Sequence, residues 1–76
     1  MAIEHRIQAW NDAVAALKGE QWWYGCPPSA DYGGHLVVPV ETVLVAAQVL
    51  KARRFRVATA AHTAPDGSPA VMLRLS

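Results

Sequence analysis

Apolar residues near the start of the chain recur at helical spacing. They are separated by four, three, four and three positions and therefore share one face of an α-helix: Ile3, Ile7, Trp10, Val14 and Leu17. Lys18 suits the negative end of such a helix, and Gly19 is a typical residue just beyond a helix C-terminus. The pattern predicts a helix over residues 3–18.

The middle of the chain changes from aromatic to loop-like composition. Glu20–Tyr24 favours a short strand, because aromatic residues suit a pleated surface, and Trp22 and Trp23 would then point to opposite sides. Residues 25–34, GCPPSADYGG, have the composition of a loop. His35–Val38 predicts a second short strand.

A second helical segment follows Pro39, which suits the first turn of a helix. One apolar face is predicted from five residues: Val40, Val43, Leu44, Ala47 and Leu50. Further apolar residues widen this face, so we expect the helix to be covered on two sides, by the first helix, the sheet or another copy of the chain.

The last third of the chain predicts a β-hairpin around the turn sequence APDGS. Pairing Ala64 with Ser68 sets the register. The predicted buried pairs are Val57 with Leu75, Thr59 with Leu73, and Ala61 with Val71. The predicted outer pairs are Ala58 with Arg74, Ala60 with Met72, and His62 with Ala70.

These elements predict a single α+β domain over residues 1–76. Two helices pack on a small antiparallel sheet that ends in a C-terminal hairpin, in the order αββαββ, or ααββ if the middle strands are absent.

Charge, apolar runs and cysteine content limit the classes of function and the cellular location that we expect. The formal net charge of +1 gives no general attraction to nucleic acid or membrane. No apolar run is long enough to span a bilayer, and the first residues do not resemble a secretory signal. Cys26 is the single cysteine, so an internal disulfide is excluded and a reducing, cytoplasmic setting is expected.

Catalytic and metal-binding groups are sparse. Cys26, Asp31 and His35 lie within ten residues, but nothing in their context predicts an activated thiol. The available metal ligands have no recognised spacing: His5, His35, His62, Cys26, Asp31 and Asp66. We therefore expect a non-enzymatic protein without a cofactor or bound metal.

Basic residues support one binding hypothesis. Five cations cluster around the end of the second helix and on the hairpin: Lys51, Arg53, Arg54, Arg56 and Arg74. With the tryptophans as stacking surfaces, they indicate a small nucleic-acid-associated protein as an alternative function.

Protein binding is the leading hypothesis. If adjacent tryptophans face opposite sides, one lies outside the core, and a polar loop adjoins it. The predicted contact residues are Trp22, Trp23, Tyr24, Asp31 and Tyr32. Such a module is typical of phage or mobile-element accessory proteins that inhibit or adapt a host complex. A third hypothesis is a structural subunit, or a homodimer formed through the second helix or a sheet edge.

Overall fold

The fold is seen in a computed structural model, which describes residues 3–76. Two helices and four strands follow the predicted αββαββ order: α1 (Ile3–Ala16), β1 (Tyr24–Cys26), β2 (His35–Pro39), α2 (Val43–Ala52), β3 (Val57–Thr63) and β4 (Pro69–Leu75). A single 3₁₀ turn, Val40–Thr42, joins β2 to α2. The predicted α+β class and C-terminal hairpin are confirmed.

Helix α1 forms as its apolar spacing predicts, although it ends at Ala16 instead of residue 18. Trp10 and Ala13 are buried on its inward side, and Leu17, one residue beyond its end, is buried as well. The chain leaves the helix through Gly19, whose φ of +90° belongs to the left-handed region that glycine adopts without strain.

The four strands form one antiparallel sheet in the order β1-β2-β4-β3. Both helices contribute to a cluster of ten buried residues: Trp10, Ala13, Leu17, Leu36, Val38, Ala46, Leu50, Phe55, Leu73 and Leu75. The strand members of this cluster share one side of the sheet by register and alternation. Both helices therefore pack on that side, the inner face, and the opposite side is the outer face.

The first strand lies later in the chain than predicted. The segment before Tyr24 is not a strand, although the Trp23 N–H donates to the Val37 carbonyl at 2.9 Å. Gly25 is a strand residue and faces α1, since a Cβ placed on it would lie 3.1 Å from Trp10 Cζ2 and 2.7 Å from the His35 carbonyl oxygen. Close contact with α1 and β2 therefore requires glycine at this position of the strand.

The second helix also begins later than predicted. Pro39 ends β2 in an extended conformation, and the 3₁₀ turn follows before α2 starts at Val43. The predicted apolar face was partly wrong: Ala46 and Leu50 are buried, whereas Val40 is 55% exposed and Leu44 is 78% exposed. Helix α2 contacts both α1 and strands β2 and β3, and its uncovered side is the one that carries Leu44.

The hairpin register is confirmed at every predicted pair, from Val57 opposite Leu75 to His62 opposite Ala70. The turn is held by Asp66 Oδ1, which accepts hydrogen bonds from the Ser68 N–H at 2.9 Å and the Ser68 hydroxyl at 2.6 Å. Burial differed from the prediction in both strands: Ala70 of β4, predicted on the outer face, is buried, whereas Thr59 and Ala61 of β3, predicted to be buried, are exposed. β3 is the edge strand of the sheet: it contacts α2, and its Val57 packs against the main core, whereas Thr59 and Ala61 remain exposed.

Candidate functional site on the outer face of the sheet

The outer face is defined by register. Directly paired residues of neighbouring strands share a face, and alternate residues along a strand return to it. Nine side chains occupy its centre: Tyr24, Cys26, His35, Val37, Ala58, Ala60, His62, Met72 and Arg74. None of them is acidic.

The end of the outer face nearest the hairpin turn is covered by the chain itself. Val37, Ala64 and Ala70 form a small buried cluster, and Trp23 and Met72 pack against it. The Trp23 indole Nε1 is buried and has no hydrogen-bond partner in the part of the chain that the structure describes. This end of the face is therefore a second, smaller core.

The two adjacent tryptophans lie on opposite sides of the sheet, as predicted. Trp22 packs against the inner cluster, whereas Trp23 packs against the outer one. Both are half-buried. The aromatic residue that lies outside the main core is thus covered largely by its own chain.

The rest of the outer face is open and carries two tyrosines and two histidines. The Tyr24 hydroxyl is 2.8 Å from His62 Nε2, so Tyr24 connects β1 to β3 across the sheet. Its ring lies edge-on to His35 and His62, with centroid distances of 6.4 and 6.3 Å. Tyr32 joins the group through a hydrogen bond between its hydroxyl and His35 Nδ1. We call Tyr24, Tyr32, His35, His62 and Arg74 the aromatic–histidine cluster.

Positive charge influences this cluster. Partial burial lowers the pKa of His35, and the nearby His62 and Arg74 lower it further. Both tyrosines remain accessible, with Tyr24 39% and Tyr32 38% exposed. The cluster therefore presents hydrogen-bonding groups and cationic or protonatable groups to solvent, without a carboxylate among the outer-face side chains to neutralise them.

The possible Cys-His-Asp arrangement is only partly brought together. Cys26 and His35 are direct partners in the β1–β2 ladder. However, the Cys26 thiol contacts the Pro27 carbonyl at 3.6 Å, Tyr32 occupies His35 Nδ1, and Asp31 accepts a hydrogen bond from the Ser29 hydroxyl. Residues 3–76 contain no group of three His, Cys, Asp or Glu residues arranged to hold a metal ion.

The predicted protein-binding residues are divided between three places. Tyr24 and Tyr32 belong to the aromatic–histidine cluster, whereas Trp22 and Trp23 mainly support the two cores. Asp31 lies in the tight turn closed by Ser29 and Tyr32, and it borders a pocket shared with Arg6 of α1.

The five predicted cations are also divided. Arg53 Nη1 donates to the Val49 carbonyl at 3.0 Å and so stabilises the end of α2. Arg54 adopts a left-handed turn conformation with φ of 68°, and Lys51 is exposed on α2. Only Arg56 and Arg74 share the outer face, since backbone pairing of Arg56 with Ser76 continues the hairpin ladder.

Sequence reasoning missed the joint role of the two histidines. The predicted hairpin register already placed His62 and Arg74 on one face, and this was a usable signal. Nothing local indicated that β1 and β2 would add Tyr24 and His35 to that face, because the pairing of β2 with β4 joins segments about 35 residues apart.

Comparison with known proteins found no match to a family model, a curated protein or a solved structure. Neither helix of the described chain has the length and apolar character needed to cross a membrane. The functional argument therefore depends on the geometry of the outer face.

Proposed function

We propose that this protein is a non-enzymatic protein-binding module and that the open half of its outer face is the contact surface. The observation that carries the proposal is an uncovered sheet face with two accessible tyrosines, two histidines and Arg74. The side chains of Ala58 and Ala60, on the β3 side of this surface, are small, so they leave room for a partner to approach the rings closely.

The composition of this face matches the central part of protein interfaces. Such regions are enriched in tyrosine, methionine and arginine and depleted in lysine and carboxylates. The outer face has Tyr24, Met72 and Arg74 and carries neither lysine nor an acidic residue in its centre. A partner that presents carboxylates would complement Arg74 and the histidines.

The biological setting is a further part of this proposal. A short chain with a single exposed cysteine and a recognition surface suits a cytoplasmic accessory protein of a phage or mobile element, which inhibits or adapts a host complex by occupying one of its surfaces. The proposed biological setting is inferred from the general class of protein, whereas the proposed contact surface is inferred from the positions of its residues in the structure.

The test compares charge reversal on two sides of the molecule. Arg74→Glu changes the outer face, and Lys51→Glu makes the same change on exposed α2, behind the sheet. We expect the wild-type protein to retain a bacterial protein in nuclease-treated lysate, Lys51→Glu to retain it equally, and Arg74→Glu and Tyr32→Ala to lose it at least tenfold. Equal retention by Arg74→Glu and Lys51→Glu would contradict the proposed surface.

Nucleic-acid binding is the second candidate, because Arg56 and Arg74 lie two ladder positions apart on the outer face, which also carries Tyr24. Accessible rings with two guanidinium groups resemble a stacking surface for single strands. This candidate requires binding of a labelled oligonucleotide that weakens steeply with salt. Captured material that disappears after nuclease treatment would favour it over protein binding.

A further inference from the structure

Strand β3 forms the longer of the two edges of the sheet. β3 spans seven residues and pairs only with β4, so its second side has no neighbouring strand in the described chain. Four consecutive residues, from Ala58 to Ala61, are exposed. Their side chains are small, and they leave the backbone accessible from both faces.

The register shows which backbone groups point outward. Arg56 and Ser76 exchange both of their backbone hydrogen bonds, at 3.0 Å each. In an antiparallel ladder such pairs alternate, so the even-numbered residues of β3 bond to β4. The N–H and C=O groups of Val57, Thr59, Ala61 and Thr63 therefore point away from the sheet.

Natural sheets usually protect such an edge with lysine, proline or a bulge. The sequence of β3, VATAAHT, has neither lysine nor proline, and its register with β4 continues without a bulge. The other edge of the sheet is different: β1 has only three residues and is followed directly by Pro27 and Pro28. One edge can therefore accept a new strand, while the other one resists it.

We propose that β3 pairs with β3 of a second copy of this chain, antiparallel about a two-fold axis at Ala60, to form a continuous eight-stranded sheet. A register centred on Ala60 overlaps all seven residues and places Thr59 opposite Ala61 of the second copy. The four outward-pointing residues of each copy then form about eight new backbone hydrogen bonds. This interface uses the backbone groups at the edge of β3, whereas the proposed partner contacts side chains on the outer face.

Charge favours a second copy as the occupant. The N-terminal end of β3 follows two cations, Arg54 and Arg56, and its C-terminal end leads to the turn that carries Asp66. Antiparallel pairing about Ala60 brings the basic end of each copy beside the acidic turn of the other one. The assembly stops at a dimer, since pairing uses the β3 edge of both copies and the prolines beside β1 disfavour the addition of a strand at the remaining edges.

Disulfide trapping tests the register. In a Cys26→Ser background, Ala60→Cys should crosslink rapidly under mild oxidation, because residues on the axis form a non-hydrogen-bonded pair with Cα atoms about 4.5 Å apart. Ala58→Cys is the matched control: its two copies would be separated by about 13 Å, too far for a disulfide. Crosslinking of both variants at similar rates would overturn the register.

Sedimentation analysis over a hundredfold range of concentration tests the dimer itself. Ala61→Pro removes an outward N–H without removing a β3–β4 hydrogen bond, so it should stay folded by circular dichroism and raise the dimer dissociation constant at least tenfold. A wild-type protein that stays monomeric throughout the range would overturn the proposal. So would dimerisation that is abolished by Leu44→Glu on α2 and unchanged by Ala61→Pro.

Discussion

The two faces of the sheet differ although the same strands form both. On the inner face, Leu36, Val38 and Leu73 are fully buried beneath both helices, within a cluster of ten buried residues. On the outer face, the buried cluster has only three members, and the rest is open. Strands β2 and β4 contribute to both sides.

This asymmetry separates stability from recognition. Most of the buried apolar area lies on the inner face, so changes there should mainly affect folding. The aromatic–histidine cluster contributes little to burial, because Tyr24 and Tyr32 stay accessible. The inner face, which is covered by the helices, fixes the strands in place. The exposed outer face of the same strands can therefore present binding residues in a rigid arrangement.

The largest expected effect comes from neighbouring residues on opposite faces of β4. Leu73→Ala should lower the free energy of unfolding by about 3 kcal/mol, because Leu73 is completely buried on the inner face. Met72→Ala should cost about 1 kcal/mol, since Met72 is only partly buried on the outer face. Urea unfolding measures both values, and equal losses would show that the two faces contribute equally to stability.

A smaller effect is expected from the tryptophan pair. Trp22→Ala should cost about 2 kcal/mol and Trp23→Ala about 1 kcal/mol, because Trp22 packs against the larger cluster. Trp23→Phe provides the control: it keeps an aromatic ring and removes a buried N–H that has no acceptor among residues 3–76, so its effect should be close to zero. A greater loss for Trp23→Ala than for Trp22→Ala would reverse the order proposed for the two cores.

The hydrogen bond across the open face should contribute less still. Tyr24→Phe removes the hydroxyl 2.8 Å from His62 Nε2 and should cost about 0.5 kcal/mol, because the bond is exposed to water. The ring contacts with both histidines remain in this variant. A loss as large as that of Leu73→Ala would show that the cluster supports the fold and is not mainly a binding surface.

The smallest effect is the pH dependence of His35. Its pKa is lowered in the folded state by partial burial, His62 and Arg74. Below pH ~6.5, the unfolded chain binds a proton that the folded chain resists, so stability should fall with pH until the folded His35 is also protonated. His35→Gln should reduce this slope in urea unfolding from pH 7.5 to 5. Arg74→Gln should raise the pKa of His35 in an NMR titration, and no change would contradict the effect of Arg74.

Prediction from sequence succeeded where local signals agreed. The apolar spacing from Ile3 to Leu17 predicted α1, and the turn sequence around Asp66 with strand alternation predicted every pair of the hairpin register. It was less accurate around Pro39 and Gly25, whose conformations depend on contacts with distant strands and with α1. The secondary structure of a single residue was predicted correctly where regular helical or strand spacing continued on both sides of it in the sequence.

The candidate site shows the same limit. Tyr24, Tyr32 and Arg74 were recognised from the sequence as binding residues, but they were assigned to two different hypothetical surfaces. His35 was considered in a possible catalytic arrangement with Cys26 and Asp31, and both histidines were considered as possible metal ligands, but neither was predicted to be a binding residue. The structure unites all five around one open face, because β2 pairs with β4 and Tyr24 reaches His62 across the sheet.

The amino-acid sequence was sufficient for α1 and for the hairpin register, since these depend on local periodicity and turn chemistry. Three further features required the folded chain: the helices on one face, the cluster on the other, and the exposed edge at β3. Each of them depends on the order of the strands within the sheet. That order is set by contacts between segments far apart in the sequence, and a local sequence pattern does not predict such contacts.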